Sequence, residues 1–187
     1  MRIISGKLKG SALYLTKSKN TRPLKDMVRE SIFNLLTHSN KISFDIEKSS
    51  VLDLFSGTGS FGLECLSRKA ARVFFVEREK NAITILKKNI KKLRLENKTR
   101  IFTNDTFKII KKNIFSPIKF DLIFCDPPFE NSNMKELFDL LLDNQILKDN
   151  GIIILHRNKS FKERLPDYFR VMDERIYGVS KIIFGKF

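Results

Sequence analysis

The sequence predicts an α/β fold of the Rossmann-like type, in which a seven-stranded, mostly parallel sheet carries helices on both faces. Two observations predict it. From residue 51 onward, short apolar runs alternate with longer stretches whose apolar residues recur every three or four positions, as in strands that alternate with helices. Near the carboxyl terminus, two β-prone runs flank a Gly-Val-Ser turn at residues 178–180, which indicates an antiparallel pair at one edge of the sheet.

A separate element precedes the sheet. Residues 1–15 are β-prone and contain two glycines, which indicates a small hairpin, and the apolar spacing after Pro23 indicates a helix. We therefore divide the chain into an N-terminal hairpin and helix extension, residues 1–40, and a Rossmann-like domain, residues 41–187.

The elements of the domain follow in chain order. Apolar runs predict parallel strands at residues 51–55, 72–77, 100–103, 120–125 and 151–156. Helical spacing predicts helices after the glycine-rich turn at residues 57–62 and from about Lys80, Thr106 and Met134. The antiparallel pair is predicted at residues 168–177 and 181–187.

The charge of the chain points to a polyanionic partner. The formal net charge is +15 and the isoelectric point is about 9.9. Residues 1–25 contain seven basic side chains and no acidic one. A chain-wide bias toward lysine would not concentrate charge in this way, so we interpret the N-terminal extension as a nucleic-acid-binding arm, since lysine and arginine side chains near phosphates release condensed counterions.

Other classes of protein are disfavoured. The chain contains no stretch of 18 apolar residues and lacks the apolar run of a signal peptide near Met1, so we expect a cytoplasmic protein without membrane contact. Cys65 and Cys125 form no Cys-x-x-Cys motif, and His38 and His156 lie far from both in sequence. We therefore expect neither a disulfide framework nor a metal site, and we assign no role to either histidine.

A glycine-rich turn follows the first predicted strand. Gly57, Gly59 and Gly62 have the G-x-G-x-x-G spacing, which lets the backbone approach a nucleotide-like ligand closely. The same spacing occurs in NAD-linked oxidoreductases. Asp53, four residues before Gly57, would repel a pyrophosphate but would hold a cationic amino-acid tail directly or through water, so we expect the polar end of the ligand to be zwitterionic.

The fourth predicted strand runs into Asp126, Pro127, Pro128 and Phe129. The two prolines lack backbone N–H groups and have a fixed φ, so carbonyl and carboxylate oxygens face whatever binds there. An amino group on a flat ring would satisfy such acceptors, and Phe129 would stack on the ring. The alternative is a strand that simply ends in a Pro-Pro turn.

Four acidic residues follow or end four successive strands. Besides Asp53 and Asp126, Glu77 is placed to accept hydrogen bonds from ribose hydroxyls, and Asp105 is placed to accept one from an adenine amine. Each alone is also explained as a helix cap or a turn residue. Together, at one carboxyl edge of a sheet, they predict S-adenosylmethionine (SAM) as the cofactor, with an acceptor amine beside its methyl group.

These motifs support a family resemblance that covers nearly the whole chain. The matching segments are residues 2–7, 9–10, 21–23, 28–34, 53–62, 75–77 and 126–129. The chain resembles class I SAM-dependent methyltransferases, and among them the bacterial 16S rRNA guanine-N2 methyltransferase family. The opening and Arg-Pro segments are its specific part, and Ser56 stands where alanine is common in the family.

The resemblance and the residue pattern together imply methylation of the N2 amine of a guanine in 16S rRNA, by a monomer that acts on the small ribosomal subunit. The predicted catalytic residues are Asp126, Pro127 and Phe129. The predicted cofactor-binding residues are Asp53, Phe55, Gly57, Gly59, Glu77, Asp105 and Asp126. The residues predicted to contact RNA are Arg2, Lys7, Lys9 and Arg22.

Two alternatives remain open alongside the oxidoreductase. A DNA adenine-N6 methyltransferase would also bind an exocyclic amine at an Asp-Pro-Pro-aromatic site, although the chain has little room for a DNA target-recognition domain. A non-catalytic RNA-binding or ribosome-assembly module would retain the fold without methyl transfer. Cytosine-C5 methylation needs a positioned thiolate, and Cys125 fits a core thiol better.

Overall fold

The structure, a computed structural model, describes residues 1–16, 24–128, 133–160 and 164–187. Within these ranges the helices are α1 (Asp26–His38), α2 (Ser60–Ser67), α3 (Lys80–Leu93), α4 (Thr106–Lys111) and α5 (Met134–Asp143). A single 3-10 turn lies at Glu96–Lys98. The strands are β1 (Ser50–Leu54), β2 (Arg72–Val76), β3 (Thr99–Phe102), β4 (Phe120–Cys125), β5 (Leu147–Asn158), β6 (Arg170–Tyr177) and β7 (Ser180–Lys186).

The strands form one seven-stranded sheet in the order β3-β2-β1-β4-β5-β7-β6. The pairs from β3 to β5 are parallel, whereas β5 with β7 and β7 with β6 are antiparallel. The predicted α/β class and the mixed sheet are therefore confirmed. The chain passes from β1 outward through β2 and β3 before β4 returns to the other side of β1, so the topological switch point lies between β1 and β4.

The central strands are apolar because both faces of the sheet are covered. Every residue of β1 is buried, and all but the first residue of β2 is buried. Since successive side chains of a strand point to opposite faces, Val51 joins the hydrophobic cluster under α1, α2 and α3, whereas Leu52 joins the cluster under α4 and α5. Phe61 of α2 stacks on Phe124 of β4 and thereby seats this helix on the sheet.

The helix after β2 shows how local sequence starts an element. The carboxylate of Glu79 accepts hydrogen bonds from the backbone N–H groups of Asn81 and Ala82 and caps α3. The buried face of α3 carries Ala82, Ile83, Leu86, Asn89, Ile90 and Leu93. Arg94 adopts a left-handed conformation at the end of the helix.

The N-terminal segment is less regular than the predicted hairpin. Its ends form one antiparallel bridge between Arg2 and Ala12 rather than two strands. Glu64 of α2 accepts hydrogen bonds from the backbone N–H groups of Ile4 at 2.7 Å and Ser5 at 2.9 Å. Ile3 is buried in the same cluster as the apolar side chains of α1, α2 and α3. The extension thus packs on the helical layer, and the division of the chain at residue 40 stays a prediction.

The fifth parallel strand begins earlier than its apolar run. β5 starts at Leu147, not at Gly151, and its pairing with β4 shifts register between Phe120 and Leu122. The intervening residues 148–150 are exposed and polar, so no apolar pattern marks them in the sequence. In the described ranges, no helix combines the length and apolar character needed to cross a bilayer.

Candidate active site

The carboxyl ends of β1, β2 and β4 meet at one rim of the sheet. Leu54, the last residue of β1, pairs with Val76 on one side and with Cys125 on the other. Glu77 and Asp126 follow these two partners directly and therefore flank the end of β1. Parallel α/β sheets bind ligands at this edge, at the switch point between neighbouring strands.

Asp53 lies beneath this rim and is almost fully buried. Its Oδ2 atom accepts a hydrogen bond of 3.0 Å from the backbone N–H of Gly62, which ties α2 to β1. Burial raises the pKa of the Asp53 carboxyl well above its ordinary value, and the charges of Asp126 and Glu77 raise it further. The structure thus brings three of the four predicted acids close enough to interact. A contact of Asp53 with a ligand tail stays a prediction.

The turn between β1 and α2 has a backbone that most side chains disfavour. Phe55, Gly57 and Gly59 have φ values of 60°, 54° and 84°. A Cβ on Gly59 would lie 2.3 Å from Leu86 Cδ1 and would be strained at this φ, so both the packing of the turn on α3 and its backbone favour glycine. A Cβ on Gly57 would meet nothing within 4 Å. Gly57 therefore leaves its side of the turn open for close approach by a ligand.

Glu77 organises the rim through its carboxylate. One oxygen, Oε2, accepts a hydrogen bond of 2.7 Å from Gly57 N–H, and the other, Oε1, accepts bonds of 2.8 Å from Arg78 N–H and Glu79 N–H. An ionised carboxylate has about four acceptor positions, so roughly one remains for a ligand hydroxyl. Glu77 joins the glycine turn to the start of α3, and ribose binding by it stays a prediction.

The carboxylate of Asp105 already has three partners. Its carboxylate caps α4 by accepting hydrogen bonds from the N–H groups of Phe107 and Lys108, and Oδ2 lies 3.0 Å from Nη1 of Arg78. The capping role that the sequence left open is therefore present. The predicted contact with an adenine amine would compete with the exposed Arg78 side chain and stays a prediction.

Asp126 contacts a histidine to which the sequence assigned no role. Its Oδ1 atom lies 2.7 Å from Nδ1 of His156, and Nε2 of His156 lies 3.0 Å from Oγ of Ser180. His156 and Ser180 are buried, whereas Asp126 is partly exposed. Pro127, which follows, is buried. The structure thus adds two neighbours to the predicted acceptor site.

Arg157 is a second residue that no sequence motif indicated. Its Nη1 atom donates a hydrogen bond of 3.3 Å to the carbonyl oxygen of Pro128, and its side chain is buried. The parallel register of Cys125 with Leu155 places the residues that follow β4 beside His156 and Arg157. The sequence contained one indication of these contacts, because β5 was predicted to end at the same edge of the sheet as β4.

Three of the four predicted RNA-contact residues belong to the described part of the N-terminal segment. Arg2, Lys7 and Lys9 are exposed. Arg22 and the predicted stacking residue Phe129 lie outside the described residues. The structure therefore leaves the roles of all five side chains as predictions.

The N-terminal segment connects the far end of α2 with the rim. Lys7 N–H donates a hydrogen bond of 2.8 Å to the carbonyl oxygen of Ser67, the last residue of α2. Asn89 of α3 pairs with both backbone groups of Tyr14 and donates to the carbonyl oxygen of Thr58 in the glycine turn at 3.1 Å. Lys7 is thus bonded to the end of α2 that lies away from the glycine turn, whereas Tyr14 lies beside that turn.

Neither cysteine has the environment of a nucleophile. Cys65 and Cys125 are buried, and burial raises the pKa of each thiol above its ordinary value. Both thiols therefore stay protonated near neutral pH. Among the side chains that the structure describes, no cluster of three or more His, Cys, Asp or Glu residues is placed to hold a metal ion.

Comparison with known proteins identifies the family. The family model described as "Conserved hypothetical protein 95" matches residues 1–186. This chain belongs to that family. Its relatives include "Ribosomal RNA small subunit methyltransferase D" of Buchnera aphidicola subsp. Baizongia pistaciae, which is 36% identical over 87% of this chain and 79% of the relative.

Two further comparisons cover almost the full length. A protein of the same name from Haemophilus influenzae is 32% identical over 96% of this chain and 90% of its own. The solved structure "Putative methyltransferase yhhF from Escherichia coli" is 27% identical, has a TM-score of 0.83 and covers 99% of this chain and 96% of its own. The resemblance inferred from the motifs and the class I methyltransferase fold are confirmed.

Proposed function

We propose that this family member is a SAM-dependent methyltransferase that modifies the N2 amine of a guanine in 16S rRNA of the small ribosomal subunit. The observation that carries the proposal is the position of Asp126 and Pro127 at the carboxyl end of β4, directly beside the rim formed by β1 and β2. Two relatives carry the name "Ribosomal RNA small subunit methyltransferase D", which supports ribosomal RNA as the class of substrate.

The charge of the rim fits this cofactor. Burial raises the pKa of Asp53 most, and the charges of Asp126 and Glu77 raise it further because they repel its ionised form. SAM carries a sulfonium and an ammonium group against one carboxylate, and its net positive charge would reduce this repulsion. A dinucleotide would instead add the negative charge of its pyrophosphate. The rim therefore favours SAM over NAD.

Several residues at the rim would each contribute to cofactor binding in a different way. Glu77 has acceptor capacity left for a ribose hydroxyl, and the open side of Gly57 permits close approach of the ligand. Asp53 holds the start of α2 in place through Gly62. Bound SAM supplies the methyl group as an electrophile on a positively charged sulfur.

The acceptor side of the site would position an amine that is a poor nucleophile. The lone pair of an exocyclic guanine amine is delocalised into the ring. If Asp126 and the carbonyl oxygen of Pro127 accept its two N–H bonds, the nitrogen becomes more tetrahedral and its lone pair turns toward the methyl group. Fixing the reacting atoms in this way lowers a barrier by up to about 7–11 kcal/mol in favourable intramolecular cases. Phe129 would stack on the base, which contributes about 1–3 kcal/mol.

The experiment that tests the proposal is incubation of the protein with methyl-labelled SAM and unmodified small subunits, followed by nucleoside digestion. Label in N2-methylguanosine supports the proposal, whereas label in N6-methyladenosine would overturn the choice of base. Binding of subunits without any transfer would support the assembly-module alternative. Asp126→Ala should abolish transfer and leave the affinity for SAM nearly intact.

The matched control for Asp126→Ala is Asp121→Asn. Asp121 lies at the opposite end of β4, where it accepts a hydrogen bond from Ser50 N–H and pairs with Lys148. It is an acid on the same strand but outside the rim. Loss of transfer in Asp121→Asn as large as that in Asp126→Ala would show that damage to β4, not the loss of an acceptor group, explains the effect.

The N-terminal segment is the proposed RNA contact. Arg2, Lys7, Lys9 and Arg22 would contact phosphates, which is consistent with a net charge of +15. Changing Lys7, Lys9 and Arg22 together to Gln should reduce the slope of log K against log salt by about 1 for each phosphate that the variant no longer neutralises. An unchanged slope would assign these side chains to ordinary solvated surface.

A charge-matched control lies on the other face of the sheet. Lys108 and Lys111 of α4 and Lys135 of α5 are polar surface residues of their helices, and the structure places these helices on the face opposite the N-terminal segment. Changing these three lysines to Gln removes the same formal charge. It should leave the salt dependence of RNA binding nearly as in the wild type.

A further inference from the structure

A line of three polar side chains crosses the sheet behind the acceptor site. Asp126 follows β4, His156 lies on β5 and Ser180 begins β7, and these three strands are neighbours in the sheet. The ring of His156 contacts Asp126 Oδ1 at 2.7 Å and Ser180 Oγ at 3.0 Å. Both ring nitrogens therefore have a partner, and the orientation of the imidazole is defined at two points.

The strand register explains why these side chains meet. Cys125 pairs with Leu155, so the next residue of each chain segment lies at the same level. On the other side, His156 pairs with Ile182 and Asn158 pairs with Ser180. Ser180 is thus a diagonal neighbour of His156 on the same face of an antiparallel pair, a distance that a ring side chain spans.

The hydrogen-bond roles follow from the acceptor-only chemistry of a carboxylate. Ionised Asp126 can only accept, so Nδ1 of His156 carries the hydrogen of the 2.7 Å contact. In the neutral ring Nε2 is then an acceptor, and the hydroxyl of Ser180 donates to it. Asp126 thereby selects the tautomer of His156, and the contact with Ser180 fixes the orientation of the ring.

The segment after β4 needs such support because it has few backbone bonds. The N–H of Asp126 reaches the carbonyl oxygen of Leu54 only at 3.5 Å, and the two prolines that follow have no N–H to donate. Side chains of two consecutive β5 residues contact the segment instead, His156 at Asp126 and Arg157 at the Pro128 carbonyl. Consecutive residues of a strand point to opposite faces, so the segment is held from both sides.

We propose that His156 is a positioning residue for methyl transfer: its Nδ1–H holds Oδ1 of Asp126 so that Oδ2 faces the acceptor amine, and Ser180 holds the imidazole ring in the orientation that this contact needs. This inference rests on the proposed function, because it assigns the second carboxylate oxygen to the amine. His156 itself touches neither the cofactor nor the substrate. Its removal should therefore lower kcat without weakening SAM binding.

Two amide variants separate the two ring nitrogens. Asn places its amide N–H close to the position of Nδ1, so His156→Asn can retain the bond to Asp126 without the one to Ser180. Gln reaches the position of Nε2, so His156→Gln can retain the bond to Ser180 without the one to Asp126. We expect His156→Asn to remain active, and we expect His156→Gln and His156→Leu to lose about 10- to 100-fold in kcat, the scale on which residues that orient a functional ligand act.

The measurements are single-turnover methyl transfer to small subunits, calorimetric SAM affinity and thermal unfolding for each variant. Supporting results are a lower kcat with unchanged SAM affinity for His156→Gln and recovery in His156→Asn. Equal loss in both amide variants, or a wild-type rate in His156→Gln, would overturn the inference. Asp121→Asn, with its altered acid at the other end of β4, should keep the wild-type rate.

One measurement needs no variant. The nitrogen chemical shifts of His156 in the folded wild-type protein report which ring nitrogen carries the hydrogen. A hydrogen on Nδ1 supports the inference, and a neutral ring with its hydrogen on Nε2 would overturn it. If wild-type protein transfers no methyl group to any acceptor, the proposed function fails and this inference fails with it. If the wild type is active and His156→Gln is equally active, only this inference fails.

Discussion

Replacing Glu77 by Gln tests the cofactor side of the rim. The carboxylate of Glu77 accepts three backbone hydrogen bonds of 2.7–2.8 Å, from Gly57 on one oxygen and from Arg78 and Glu79 on the other. Gln keeps the size of the side chain but replaces one acceptor oxygen by an NH₂ group, which can only donate. Either the glycine turn or the start of α3 then loses its acceptor, and a ribose hydroxyl loses an acceptor that carries a full charge.

The size of the effect follows from the bonds at stake. A hydrogen bond to a charged group contributes about 1.5–3 kcal/mol, which corresponds to a roughly 10- to 150-fold change in a dissociation constant. We expect Glu77→Gln to weaken binding of SAM by this factor. S-adenosylhomocysteine has the same ribose but no sulfonium charge. Its binding should weaken by a similar factor if Glu77 acts through the ribose.

Titration calorimetry with both ligands is the assay. Glu79→Gln is the control, because Glu79 is the next acid along the chain and its carboxylate caps α3 without facing the predicted ribose site. That variant should lose about 1 kcal/mol of stability and bind SAM normally. Unchanged affinity in Glu77→Gln would refute the ribose assignment. If SAM binds more weakly but S-adenosylhomocysteine binds normally, Glu77 interacts with the sulfonium charge rather than with the ribose.

Three further predictions concern stability and reactivity. Glu64→Ala should lower the free energy of unfolding in urea by about 3–5 kcal/mol, because it removes one of the two carboxylates paired with the buried Arg29 guanidinium, the other being Asp26, and leaves the N–H groups of Ile4 and Ser5 without their acceptor; an unchanged midpoint would contradict this. Burial raises the pKa of the Asp53 carboxyl, so the contribution of this group to wild-type stability falls as pH rises from about 4 through the raised pKa. The stability of Asp53→Asn relative to the wild type should therefore be higher at about pH 8 than at about pH 5. If the stability difference between the two proteins does not change with pH, the pKa of Asp53 is not raised. Cys125 should resist iodoacetamide in the native protein and react after unfolding, whereas rapid native labelling would show an accessible thiolate.

Much of the fold could be predicted because its signals are local. The strands β1, β2 and β4 are buried on both faces, so they are near-continuous apolar runs, and α3 shows its buried stripe directly in the sequence. The start of β5 could not be predicted in the same way. Leu147 pairs with Phe120 of β4, but residues 148–150 are polar and exposed and lie in the irregular stretch before Ile152 pairs with Leu122, so no apolar run marks them.

In the candidate site, too, the features that depend on local sequence could be predicted and the long-range contacts could not. The glycine turn and the acids after the strands were visible because each depends on its own stretch of chain. The contacts of Glu77 with Gly57, and of His156 with Asp126, join residues 20 and 30 positions apart. No local pattern encodes such a pair, since each residue alone fits a cap, a turn or a core position.

By itself, the sequence determined the class of the sheet and predicted the edge at which a ligand would lie and the acids near the ends of its strands, because strand periodicity and turn chemistry are properties of neighbouring residues. Only the tertiary structure decided which of these acids already have partners. Asp105 caps a helix and pairs with Arg78, Asp53 is tied to Gly62, and Asp126 is held by His156. The reason is physical: a buried or partly buried carboxylate takes whichever donors the packed strands and helices bring within about 3 Å, and that proximity depends on strand order and register.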